Sequence, residues 1–458
     1  MVAYLSQEKV SRRGYIKYVG GIVVVAVVAG AAYYGWQTYQ APKKEVEIEQ
    51  QWISGPEGDN ADKTAKLWNE KYAEKTGIRV KTTALAFEGY FDKVSAQTVS
   101  DNPKPDLFEI WSYNTGQYAP YMEPMNEYFK DTKLFSSPDG EPYNFNDMDP
   151  ACIEAGTYKG KIYNLWDSNI HIVQMYRKDI IPTPVETWEE MLDLARQNTR
   201  SLNPNSKTKY GMCIPGRADY GYTWKAFCGC YWSYGGQYFK PGTFEPDFNS
   251  EAGLKAARIW YAAAKENLIP PDVPSWGFLE VMAAQQSGEV AFALNWQPVF
   301  VTLMDQKQSP IVYDKMAMDS PPGVKQPDGS IKRAPYRGGN VVGINIRSEN
   351  KNEAFKYLAW HMFGEGMWNA VALGGNPGNL RPYLDPEALS KYPWIADQVR
   401  MQLHKNGRAE PAYPELPVIQ AVGFRNVHSL LTLQVTPEEF VENLQKEATD
   451  VLKKAGYF

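Results

Sequence analysis

The chain runs to 458 residues, 43% hydrophobic and 22% charged, with 36 Gly and 32 Pro. This ordinary globular composition excludes a collagen, a coiled coil and a disordered tail, and a net charge of −5 argues against a dedicated nucleic-acid binder. The 14 Trp and 30 Tyr exceed what a core needs, so some are expected to face a ligand.

Residues 18–36 carry no charge. At ~1.5 Å per residue such a run spans ~28 Å, close to the hydrocarbon thickness of a bilayer. Lys9, Arg12, Arg13 and Lys17 precede it against Glu8 alone, which predicts a cytoplasmic start and an external remainder. Ser11-Arg12-Arg13-Gly14-Tyr15-Ile16-Lys17 resembles a twin-arginine export signal. A retained anchor is the favoured reading, because Tyr33, Tyr34 and Trp36 suit an interfacial belt. Cleavage at Ala29-Gly30-Ala31 is the alternative. Either way the remainder faces the periplasm or cell surface.

Downstream of a linker at 40–44, alternation predicts a strand over 46–53, ending in the loop Ser54-Gly55-Pro56-Glu57-Gly58. Ala61, Ala65, Trp68 and Tyr72 then recur at helical spacing, with Gly77 as the stop. A strand over 78–85, a helix over 90–99 and a strand over 106–111 follow. This β-α-β-α-β order implies a mostly parallel sheet. Ligands sit beyond the carboxyl ends of such strands, so the loops at 54–57, 87–88 and 111–114 are expected to converge. Further strands are predicted within 162–176. Thr187-Trp188-Glu189-Glu190 reads as a capping box, and Ser250 caps a helix whose apolar face is Leu254, Ala257, Tyr261 and Ala264. Thr436-Pro437-Glu438-Glu439 opens a last helix that Gly456 stops.

Cys152, Cys213, Cys228 and Cys230 lie in an external, disulfide-permissive space and allow three full pairings. Cys228-Gly229-Cys230 is too tight for an ordinary bridge and wrongly spaced for zinc, so one disulfide or buried thiols is expected, and no metal. There is no dinucleotide or phosphate loop, no metalloprotease helix and no nucleophile elbow, so no cofactor is implied. Asp167 and Glu88 could in principle form a glycosidase pair, but enzyme is the weaker class.

Several stretches together resemble one family. They include Pro105-Asp106-Leu107-Phe108-Glu109-Ile110-Trp111 and Tyr121-Met122-Glu123-Pro124-Met125. The most specific is Tyr158-Lys159-Gly160-Lys161-Ile162-Tyr163-Asn164-Leu165, followed by Tyr176-Arg177-Lys178-Asp179 and Thr187-Trp188-Glu189-Glu190. Trp232-Ser233-Tyr234-Gly235-Gly236, Gln286-Ser287-Gly288-Glu289-Val290-Ala291-Phe292 and Gly338-Gly339-Asn340-Val341-Val342-Gly343-Ile344 complete the series. In this order they resemble the extracellular solute-binding proteins of carbohydrate ABC importers, the maltose-binding-like class. Tyr-Arg-Lys-Asp stands where that class usually has Tyr-Asn-Lys-Asp, and no lipoprotein cysteine follows the apolar run.

The resemblance implies a two-lobed α/β fold of the periplasmic-binding-protein type, closing on a sugar and delivering it as a monomer to a membrane permease. Crossings are expected near 166–167, 315–317 and 363–366. These divide the chain into an anchor and linker (1–45), a first lobe (46–167 plus 317–364) and a second lobe (168–316 plus 365–458). A sugar presents an apolar C–H face, suited to Trp or Tyr, and a rim of hydroxyls, suited to Asp, Glu, Asn and Arg. The resemblance assigns Glu57, Glu88, Asn114 and Asp167 to the rim, Trp232, Trp276 and Trp296 to the walls, Gly339 and Asn340 to backbone contact, and Arg381 to a further polar contact. A secreted carbohydrate-active enzyme and an envelope adhesin reusing the fold are the alternatives.

Overall fold

A computed structural model describes residues 45–86, 89–100, 102–218, 222–392, 394–395 and 406–458. The charge-free run, the twin-arginine-like pattern and Glu88 lie outside the described residues. Among the described residues no helix is long and apolar enough to cross a membrane.

The chain opens as read: β1 (Val46–Ile53), α1 (Pro56–Thr76), β2 (Ile78–Leu85), α2 (Tyr90–Val99) and β3 (Leu107–Trp111). Gly77 ends α1 at φ 74°, the left-handed conformation that glycine adopts without steric cost. Next come β4 (Asn164–Trp166), β5 (Ile170–Arg177), α3 (Trp188–Gln197), β6 (Tyr210–Cys213), α4 (Tyr222–Ser233), α5 (Glu251–Lys265), α6 (Phe278–Gln286) and β7 (Val290–Trp296). Then β8 (Met316–Asp319), β9 (Arg337–Gly338), β10 (Asn340–Ile344), α7 (Lys351–Phe363), α8 (Glu365–Ala372), α9 (Leu416–Leu431) and α10 (Pro437–Lys454) complete the framework. Thr187 and Thr436 form the expected capping boxes, and Ser250 accepts from Gly253 N. The buried stripe of α5 is rotated from the expected one: Ala256, Ala257, Trp260 and Ala263 face inward, while Leu254, Tyr261 and Ala264 are half-buried. Trp260 claims the core side because it packs against Trp188 and Phe227.

Two sheets define two lobes. The first has the order β2-β1-β3-β10-β4, with β1 parallel to β2 and β3, and β10 antiparallel to its neighbours. The second has the order β8-β5-β7-β6, with β9 pairing onto β5. Trp68 of α1 and Trp360 of α7 meet at 5.1 Å under the first sheet, and truncating such a ring to Ala costs on the order of 3–5 kcal/mol. Phe227 of α4 meets Phe440 of α10 at 5.1 Å in the second lobe's core.

Through 167–169 the chain passes from β4 of the first sheet to β5 of the second. β8 pairs antiparallel with β5, and so does β9, so the chain stays with the second sheet until Gly339 and rejoins the first at β10. α8 packs on α1 of the first lobe, Gly378 N donates to Trp166 O, and the chain is back on the second lobe at Arg408, which pairs with Tyr336. All four cysteines are buried free thiols, which settles the pairing question against a disulfide.

Candidate functional site

The carboxyl ends of β1 and β3, the glycine crossing and the second lobe enclose one cavity of about 520 Å³, within the range of small-molecule sites. The first lobe contributes Ser54 and Glu57 from the β1–α1 loop, Trp111 and Tyr113 after β3, and Asn340. The second contributes Arg217, Tyr222, Lys225, Phe278, Trp296 and Gly338. Gly339 is the point of closest approach. A Cβ there would lie 1.7 Å from Ser168 O, so only glycine lets the two linking segments pass. Gly339 O accepts from Ser112 N at 3.0 Å, and Asn340 N donates to Ser168 Oγ at 3.0 Å. These bonds lock the crossing to the cavity floor.

Glu57 sits in the first turn of α1, where a helix dipole favours an acid. Burial nevertheless raises its pKa, helped by the charge of Asp167 and opposed by a backbone N–H. Glu109, wholly buried behind it, is pushed well above the carboxylate range by the same desolvation. It accepts from Ile53 N at 2.8 Å. Asp167 stands at the first crossing, its Oδ1 2.7 Å from His361 Nε2.

The most unusual group is Lys225. Every residue of α4 from Thr223 to Ser233 is buried, and Lys225 is 5% exposed. Its Nζ lies 4.3 Å from the Tyr113 ring centroid and 5.5–5.8 Å from those of Trp111, Tyr222, Trp296 and Tyr336. Burial pushes its pKa down to about 8, against the attraction of Glu410. Glu410 itself is occupied, accepting from Tyr238, Tyr336, Gln420 and, at 3.2 Å, Trp224.

Residues 68–394 match the family of bacterial extracellular solute-binding proteins. The chain belongs to that family. This solute-binding protein is 22% identical over 392 residues to a probable amino-acid ABC transporter periplasmic-binding protein of Sinorhizobium fredii, covering 84% of this chain and 85% of that one. In fold it is similar to maltose-bound MalE3 of T. maritima, with a TM-score of 0.74 at 21% identity over 88% of this chain and 99% of the other. An Agrobacterium radiobacter K84 solute-binding protein in complex with ribitol gives a TM-score of 0.73 at 20% identity, over 90% and 100%.

Of the sequence-assigned site residues, Glu57, Trp296, Gly339 and Asn340 come together in this cavity between the lobes. Asp167 lies beside it, engaged by His361. The others fall elsewhere. Trp232 is 1% exposed and lies in the core, stacked on Tyr336 at 5.7 Å, with the Arg408 guanidinium 5.0 Å from its ring centroid. It backs a ring of the Lys225 cage and does not reach the cleft. Trp276 is half-buried and packs against the second lobe's core, outside the lining of this cavity; its carbonyl accepts from Gly216 N and Arg217 N and so holds the Arg217 loop. Asn114 is buried and donates to Gln117 at 3.0 Å, lining a separate hollow of about 280 Å³. Arg381 is exposed, 3.9 Å from Asp147 and over the Trp368 ring. Sequence reading missed Lys225, Arg217, Tyr113 and Tyr222. The signal for Lys225 was present as one cation inside the otherwise apolar run Trp224 to Trp232.

Proposed function

We propose that this protein captures a sugar or polyol between its lobes, closes on it, and delivers it without chemical change to the permease of an ABC importer. The observation that carries the reading is that both lobes bring rings and polar side chains to one cleft, Trp111 and Glu57 from one side and Trp296 and Lys225 from the other. Rings cover the C–H face of a pyranose, and polar groups discriminate, because an unmatched buried hydroxyl costs ~1–3 kcal/mol. The relatives named for maltose and ribitol support this class of ligand. The lobes are proposed to move as 46–167 plus 340–395 against 170–338 plus 408–454, hinged at 167–169 and Gly339. Residues 1–45 are proposed to hold the monomer at the outer face of the cytoplasmic membrane.

A thermal-shift screen over monosaccharides, oligosaccharides, sugar acids, polyols and free amino acids tests the reading. Ligand stabilisation follows RT ln(1 + [L]/Kd), ~2.7 kcal/mol at a hundredfold excess, so a true ligand raises the melting temperature by several degrees. A shift with amino acids and none with any carbohydrate overturns it, as does a product released on incubation with glycans.

A further inference from the structure

The Lys225 ammonium has three N–H donors and no acceptor of its own. Among the described residues no carboxylate, carbonyl or hydroxyl bonds to it, and its neighbours are the faces of five rings. Such faces attract a cation but leave its donors unmet. The nearby buried acid, Glu410, spends its oxygens on tyrosines, Gln420 and Trp224. Lys225 nonetheless lines the cleft, directed between the walls Trp111 and Trp296. A second cation, Arg217, lines the same side but lies 4.0 Å from the Glu280 carboxylate, which offsets its charge. Among the described residues no counter-charge bonds to the buried Lys225 cation, which is costly to the unliganded fold, and the ammonium borders the open cleft.

We infer that the ligand carries a carboxylate, as an acidic sugar (a uronic or aldonic acid, or an oligosaccharide bearing one), and that this group ion-pairs with Lys225 inside the aromatic cage. The inference rests on the carbohydrate reading above and narrows it. A neutral hydroxyl could accept from the ammonium, but a carboxylate supplies charge as well, and charge-assisted bonds are roughly twice as strong as neutral ones. A single ammonium matches a monoanion; a phosphate dianion calls for a larger set of donors. The rings suit the sugar face that adjoins the acid group. Among the described residues, the remaining ionisable groups around the ammonium are Tyr113, Tyr222, Tyr336, Cys228 and Glu410, with Arg217, Glu280 and Glu57 at the cleft. None of them bonds to it.

The test is calorimetric titration of the full chain at pH 7 with matched pairs: glucuronate and glucose, gluconate and glucitol, maltobionate and maltose, with glucose 6-phosphate as a dianion control. The expected result is at least tenfold tighter binding of the acid in the pair that binds. Lys225→Gln and Lys225→Met should abolish that preference, and a melting curve reports whether each is folded. The wild-type comparison stands without either variant. Equal or tighter binding of the neutral member, or of glucose 6-phosphate, overturns the carboxylate inference and leaves the carbohydrate reading intact. Binding of neither member of any pair, nor of any other carbohydrate, overturns both.

Discussion

Replacing Lys225 by Met isolates what the unliganded fold gives up to keep a cation in an aromatic box. Met preserves the unbranched stem and removes the charge. A fall in pKa from 10.5 to about 8, at ~1.36 kcal/mol per unit, corresponds to about 3 kcal/mol held against the charged folded state. The variant forfeits the attraction of the ring faces, ~0.5–2 kcal/mol. The net expectation is a gain of about 1–3 kcal/mol at pH 7, or ~2–4 °C per kcal/mol for a domain of roughly 150–250 residues. The pH course carries the sign. Below pH 8 the lysine is protonated folded and unfolded, so wild type bears the whole penalty. Between 8 and 10.5 the unfolded chain binds more protons, wild-type stability rises, and the gap to the variant closes. Melting curves without ligand from pH 6.5 to 10.5 measure this. A variant less stable than wild type at pH 7, or a gap that stays constant across the range, refutes the reasoning.

Four other outcomes follow from the geometry. Arg337, fully buried, pairs with Asp149 at 2.7 Å; Arg337→Met removes the cationic partner of a buried carboxylate and should cost about 3–5 kcal/mol in denaturant titration, part of it recovered by adding Asp149→Asn. Gly339→Ala places a methyl within 1.7 Å of Ser168 O, so the crossing must shift; the expected effect is a loss of ligand-induced thermal shift together with a stability loss of roughly 2 kcal/mol or more. Trp296→Ala should weaken carbohydrate binding by about tenfold or more, whereas Trp232→Phe should lower stability and leave affinity within about twofold; the reverse pattern would return Trp232 to the cleft. The four thiols are buried, and desolvation raises the pKa of each. A thiol reagent should therefore leave the native chain unmodified, react at all four after unfolding, and find no change in melting temperature on adding reductant.

Local signals were read well because their chemistry is local. Thr187, Ser250 and Thr436 satisfy N–H groups within three residues, and Gly77 closes α1 in a conformation few other residues accept. The cleft's floor was equally legible: loops after parallel strands converge for topological reasons, and these brought Glu57 to the glycines at 338–339. Long-range choices were not legible. β8 could pair with either sheet as far as its four residues tell, and only β5, about 140 positions earlier, decides it. A tryptophan is written the same way whether its ring meets solvent, ligand or core. In α4 the helix is buried on all sides, so periodicity gave Trp232 no direction. The same missing polar face made Lys225 conspicuous, because a lone charge in such a run needs a reason.

The strand β10 lies between β3 and β4, although more than 170 residues of chain separate it from the nearer of them. A nascent polypeptide emerging from the ribosome must therefore present two naked strand edges until position 344 is synthesised, with much of the other lobe made in between. Open edges invite foreign pairing, and closing so large a loop is slow. Biogenesis is thereby governed by the late arrival of five residues, and a cell making this chain must shield the vacancy until they dock.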